Sequence, residues 1–438
     1  MSPIDKRGMN VKPKIVFVIN YFYPDYASTG QLLTELCLYL QHDFDITVIA
    51  ECPPGYGGEA AAKGRYITDH LENIKVIRIR LPEVDKQSKF SRIKYISTYF
   101  FYATYLLLKQ KNTDFIYTIS TPPVLGGLIG TIGKLFKRSK HIYNIQDFNP
   151  EQAEAVGYTK RQWIFNVARA IDNINCSMAD HIITVGKDMQ ETLVNRFGGR
   201  KHIENTVINN WTNEEEIVPL DKNHPRVAKF IADHGWQDKF VVMYSGNLGL
   251  YYDLENLMTI IPGLKDCKNL VFAFIGEGAV KKKMQEYAAQ HGLEESGQVC
   301  FLPFQPKEDL KYSLNAADVH LVVNQKGIKG VSVPSKIYGV MAAGKTVLGV
   351  LESGSEAHRL IVEGACGLVA EPQNYEDIAI QLRRLYEMDA EEIQAIGQNG
   401  RDYLEKYLRR DVSLEKYRQL LLSMATQSPS TTMVSESR

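Results

Sequence analysis

Short apolar runs alternate with longer amphipathic stretches along the chain, and the alternation occurs twice. Runs at 15–19, 46–50, 76–79, 115–119, 141–145 and 181–185 read as buried strands. Stretches at 32–40, 92–109, 124–136, 161–178 and 188–197 read as the helices between them. Strands separated by helices predict parallel βαβ units and a doubly wound sheet. A polar, broken segment over 209–238 interrupts the pattern; it contains Asn209-Asn210-Trp211, an acidic run at 214–216, Pro219 and Pro225. The alternation resumes with runs at 240–244, 271–275, 299–302, 319–323 and 346–351. The chain has 438 residues, and a single core stops growing at roughly 250–300. The expectation is therefore an α/β protein of two Rossmann-like domains facing across a cleft. A front domain spans 14–210, a linker 211–238 and a rear domain 239–395. A long helix over about 390–425 ends the pattern, with 396–425 expected to cross back to the front domain. The serine- and threonine-rich tail from 426 is expected to be disordered.

Composition narrows the function classes. Hydrophobic residues make up 44% and charged residues 23%, as in soluble globular proteins. Basic and acidic residues number 51 each, so the basic surplus usual for nucleic-acid binding is missing. The balance hides an asymmetry. Residues 1–210 hold 26 basic and 20 acidic residues, a surplus of +6, and the remainder holds 25 and 31, which is −6. A basic front half suits anionic partners, such as a membrane face or phosphate-bearing acceptors; scattered solvated charge is the competing reading. The six cysteines are dispersed without a C-x-x-C pair and read as reduced. No apolar run is long enough for a signal peptide's core or a membrane span, so a cytoplasmic location is expected.

In open parallel sheets, ligands bind beyond the carboxyl ends of the strands. After the first strand comes a loop over 20–30, where Thr29 can cap the next helix and Gly30 gives a ligand access to the backbone. After the run at 141–145 come Gln146, Asp147 and Glu151. Asp147 stands where a front-domain strand delivers a carboxylate into the cleft; a turn or capping role is its alternative. In the rear half, Gly246-Asn247-Leu248-Gly249 and Gly276-Glu277-Gly278 follow neighbouring strands. Two glycine-bearing turns side by side suit a nucleoside diphosphate. The densest segment is 330–345, where Ser332, Ser335 and Lys336 crowd the start of a helix that Gly344 ends. A lysine there opposes the helix dipole, and a bound phosphate would reverse that penalty. Glu356 follows the next strand, placed either for sugar or ribose hydroxyls or for capping a helix.

With these residues the sequence resembles the retaining nucleotide-sugar glycosyltransferases of family 4, which have the GT-B fold. The likeness runs over about 14–420 and is sharpest at 146–151, 244–249 and 332–347. It is nearest to the colanic-acid, capsule and O-antigen branch, with transferases of fucose-type sugars. The resemblance implies a UDP- or GDP-sugar donor in the rear domain and a glycan or lipid-linked acceptor in the front domain. It puts Gly246–Gly249, Glu277, Ser335 and Lys336 on donor positions, and the Gly30 loop and Asp147 at the reacting centre. It implies no cofactor and no metal. The wider family carries two glutamates eight positions apart, where this chain has Val331 and Gly339. Glu277 or Glu356 is the candidate to take over the ribose contact. A sugar-nucleotide epimerase and a non-catalytic partner subunit remain the alternatives. The segment 89–111, aromatic and basic, reads either as a core helix or as one lying on a bilayer.

Overall fold

In the computed structural model, residues 12–25, 28–53, 56, 64–84, 88–198 and 202–426 are described. The front sheet holds β1 (Lys14–Val18), β2 (Asp45–Glu51), β3 (Tyr66–Leu71), β4 (Ile74–Ile79), β5 (Phe115–Ile119), β6 (Lys140–Ile145), β7 (His181–Thr184) and β8 (Asn205–Val207). They lie in the order β3-β4-β2-β1-β5-β6-β7-β8. Neighbours are parallel except β3, which pairs antiparallel with β4 at the edge. The apolar runs do not reveal β3 because its residues alternate between exposed and half-buried.

The rear sheet holds β9 (Phe240–Ser245), β10 (Leu270–Ile275), β11 (Val299–Leu302), β12 (Val319–Val323), β13 (Thr346–Val350) and β14 (Gly367–Ala370). Their order is β11-β10-β9-β12-β13-β14, all parallel. The strand order reverses between β1 and β5 in front and between β9 and β12 behind. Those reversal points are where an open α/β sheet leaves a crevice for ligands.

Two expected boundaries move. The segment 211–238 is not a linker throughout. Trp211 is buried in the front core against Tyr417, and Ile217 already packs with Tyr338 in the rear core. The helix Pro225–Asp233 buries Val227 and Ile231 beside Trp236 on the rear sheet. The crossover is thus confined to 212–216; the short helix has too few apolar positions to stand out in the sequence. The long terminal helix is also two helices. Ala390–Tyr407 packs on the rear helix Lys336–Ala342 and on β13. Only Arg410–Thr426 crosses back, so the return falls at 408–410 rather than at 396. The expected disordered tail lies, from 427 on, outside the described residues.

The domains also touch along a seam. Phe148 and Met189 from the front pack with Ile328, Val331 and Val333 from the rear. Val331, at one of the two glutamate positions, is 5% exposed in this seam. A carboxylate there would be buried among apolar groups.

Candidate active site

A cavity of about 1080 Å³ opens between the domains at the strand-order reversals. The front domain contributes Gln31, Leu32, Glu35 and Trp211, the crossover contributes Thr212, Asn213 and Glu216, and the rear domain supplies the rest. Lys336 is its central charge. The helix Lys336–Ala342 starts at this residue and aims it under the turn that follows β9. Its Nζ donates to the Tyr244 hydroxyl at 2.9 Å and lies 4.4 and 4.2 Å from the ring centroids of Tyr244 and Tyr252. The Tyr244 hydroxyl in turn donates to the Asn247 carbonyl at 2.7 Å. Among the described residues no carboxylate forms an ion pair with Lys336. Although part of the residue faces the cleft, burial lowers the ammonium pKa from 10.5 to about 7. Two aromatic faces partly compensate, and a phosphate would do so more fully.

Gly246 lines the cavity with φ +145°, and a Cβ there would come within 3.2 Å of Lys336 Cε. Asn247, Ser335 and Gly339 line the cavity as well. At Gly339 the nearest atom to an added Cβ is Leu314 at 3.9 Å, so the second family glutamate is replaced by open cleft. The glycines of the two rear turns mainly let the turns touch. A Cβ on Gly276 would lie 1.9 Å from the Gly246 carbonyl oxygen, and one on Gly278 2.1 Å from that of Leu248.

Asp147 reaches the seam from the end of β6. Its backbone bridges to Ser332, and the Ser332 hydroxyl hydrogen-bonds its carboxylate. Burial pushes that carboxyl above the ordinary aspartate range, and the Ser332 contact opposes the shift. Its charge helps to hold the Tyr252 hydroxyl up at about 12, after burial itself. Asp147 itself does not line the cavity; it acts on Tyr252, the tyrosine beside Lys336, through its charge alone.

Other candidates fall elsewhere. Gly249 and Ser332 do not line the cavity. Glu277 is exposed and pairs with Lys281 at 2.6 Å. Glu356 is buried and joins the domains, accepting from the Lys187 amide at 3.0 Å, Asn209 at 2.7 Å and Arg359 at 2.6 Å. Neither carboxylate lines the cavity. Glu151 is held by Arg169 and Arg196, away from the cleft. Gln146 bridges Asn144 and Asn210 at 2.9 Å each. The helix after β1 begins at Ser28, so Thr29 lies in its first turn rather than at its cap. Gly30 is buried because a Cβ would press on Tyr21 at 3.0 Å; its neighbour Gln31 meets the cavity. Sequence reasoning missed Tyr252, Glu216 and the segment 304–311, which line the cavity. Only the tyrosine beside the β9 turn, Tyr244, carried a local signal.

Residues 227–403 match the family model for glycosyl transferases group 1. The chain is 27% identical over 340 residues to a probable glycosyltransferase, WbjE, of Pseudomonas aeruginosa, covering 77% of this chain and 82% of that protein. It is 22% identical over 416 residues to WcaI of Escherichia coli K12, a putative colanic acid biosynthesis glycosyl transferase, covering 92% and 98%. Among solved structures, Anabaena HepE in complex with UDP-glucose superimposes with a TM-score of 0.68 at 16% identity, covering 94% of this chain and 99% of that one. Two parallel α/β domains set across a ligand cleft are thus the GT-B fold, and over residues 227–403 the chain is similar to the glycosyl transferases of group 1.

Proposed function

We propose that this chain is a retaining glycosyltransferase of family 4 that moves a sugar from a UDP- or GDP-sugar to a glycan or lipid-linked acceptor in cell-surface polysaccharide assembly. The observation that carries the reading is Lys336, a half-buried cation at the rear-domain reversal point, facing a cavity and, among the described residues, set against tyrosines and no carboxylate. A departing nucleoside diphosphate gains negative charge as the sugar bond breaks. A fixed cation in a water-poor site stabilises that charge without reorganising. The named functions of the WbjE and WcaI relatives support glycosyl transfer, and the UDP-glucose complex of HepE supports the donor class.

In this reading the donor diphosphate lies against Lys336, Ser335 and the Gly246–Asn247 backbone, with no metal or other cofactor required. The nucleoside extends toward Glu216 and the segment 304–311, which face the same cavity. Glu216, from the crossover, takes the hydroxyl-binding place left open at Gly339. Attack comes from the face the diphosphate leaves, and the diphosphate receives the acceptor proton. Asp147 orients hydroxyls near the reacting carbon and is not a nucleophile. The acceptor enters from the front domain, on the cytoplasmic side of the plasma membrane. The test is nucleotide release from UDP- and GDP-sugars in the presence of extracted lipid-linked acceptors. Release from one donor class is expected, with Lys336→Ala and Asp147→Asn each slowing it about a hundredfold or more. Full turnover by Asp147→Asn would remove that residue from the mechanism, and release from neither class would overturn the reading.

A further inference from the structure

Three helices cover one face of the front sheet: Lys89–Lys109, Leu125–Lys137 and Gln162–Met178. They lie side by side in that order. The first buries Tyr99, Ala103, Leu106 and Leu107 against the sheet. Yet its opposite side is also apolar. Phe90, Ile93, Phe101, Tyr105 and Leu108 are exposed and fall in one stripe at helical spacing. The third helix repeats the pattern with Trp163, Val167 and Ile174. Between them, Leu135 and Phe136 are exposed at the end of the middle helix. Phe136 is 75% exposed, Phe101 68% and Trp163 62%. Exposed aromatics concentrated on one three-helix layer are unusual for a face that meets only water.

The charge of the layer selects its partner. The three helices carry seven lysines and arginines and one acid, Asp172. That acid is buried and paired with Arg196, so it does not face outward. Their net charge of +6 equals the whole surplus of residues 1–210, where 26 basic residues face 20 acidic ones. Lys134 pairs with Asp180, and Arg169 with Glu151 and Glu154, from outside the three helices, which lowers that charge without reversing it, so a second copy docked on this face would still set like charge against like. No helix among the described residues is long and apolar enough to cross a membrane. Aromatic side chains among basic residues match the interfacial zone of a bilayer with anionic headgroups.

We infer that this three-helix face docks the front domain onto an anionic lipid bilayer. The inference deepens the lipid-linked part of the proposed acceptor reading, since docking brings the acceptor domain to the plane where such a substrate resides. It does not depend on donor binding. The experiment is sedimentation of the full chain with vesicles of phosphatidylcholine alone and of an equimolar mixture with phosphatidylglycerol. The wild type should sediment with the anionic vesicles, less with the neutral ones, and should be released as salt rises. The double variant Phe101→Ser/Trp163→Ser removes only exposed side chains and should lower the partition roughly tenfold or more. A nucleotide titration on the same variant should be unchanged, which separates this docking from the donor site. Absence of wild-type binding to anionic vesicles would overturn the inference, as would undiminished binding by the variant. A wild-type dimer dissolved by the two substitutions, without vesicle binding, would assign the face to a second copy instead.

Discussion

Lys336 is held in a state that only an anion completes. Its ammonium titrates near 7 in the folded protein against 10.5 for an ordinary lysine. Between those values the unfolded chain binds more protons than the folded one, so this residue's contribution makes stability rise with pH from about 7 to 10.5. A bound diphosphate favours the charged form and raises the pKa again. Nucleotide binding above pH 7 should therefore take up close to one proton, and affinity should fall as pH climbs past 7. Calorimetry at pH 8 in buffers of different ionisation enthalpy measures the uptake; Lys336→Met should abolish it. That Lys336 meets the cleft was legible in the sequence because it opens a helix, where chain geometry points a side chain toward the strand ends; Asp147, placed by the same logic after a strand, lies in the domain seam and not in the cavity lining. Glu151 and Glu356 occupy equally suggestive places, yet each is claimed by a cation or amide that only the folded chain brings near, and Glu277 pairs with Lys281 four residues on. Tyr252 and Glu216 reach the cavity from irregular segments, and no periodicity marks them.

The helix Leu125–Lys137 illustrates how an element's sequence can encode its distance from the sheet. Gly126, Gly127, Gly130 and Gly133 are all buried. An added Cβ on Gly130 would lie 1.9 Å from His141 Nε2, and one on Gly127 2.8 Å from the Tyr143 ring. His141 cannot easily yield, because it is buried and hydrogen-bonded to Thr118 at 2.8 Å. Alanine for glycine inside a helix ordinarily stabilises by about 0.5–1 kcal/mol. Here the sign should invert: Gly130→Ala is expected to destabilise by about 1–3 kcal/mol, through overpacking. Denaturant midpoints compare the two directly. In the sequence, Gly126 and Gly130 fall at the spacing of a membrane helix pair, but Lys134 and the element's length point instead to close packing on the sheet. The neighbouring helix Lys89–Lys109 was ambiguous between core and bilayer, because it is apolar nearly all round. The structure buries one stripe of it against the sheet and leaves the other exposed.

At the scale of the whole molecule, the last helix ties the two domains into one unit. Arg410–Thr426 places Leu414, Tyr417, Leu421 and Met424 in the front core. Tyr417 accepts from Asn144 at 2.8 Å, and Arg418 pairs with Asp43 at 2.7 Å. Tyr417→Ala should lower stability by roughly 3–5 kcal/mol, whereas Tyr417→Phe should cost only about 1 kcal/mol. Thermal unfolding read in the two variants checks the order. The two-domain plan was legible from the repeated alternation, and so was a return of the chain's end to the front. The positions of the two crossings were not, because polar residues in short helices and polar residues in linkers look alike without their partners. The arrangement as a whole places Lys336, flanked by two tyrosine rings, in the cleft where the rear strand order reverses. The most direct test is calorimetric titration of the purified chain with UDP and with GDP, repeated on Lys336→Ala. Binding of one nucleotide, weakened at least about tenfold by the substitution, is the predicted result. Binding of neither nucleotide, or equal binding by the variant, would contradict the assignment of this cleft to the donor.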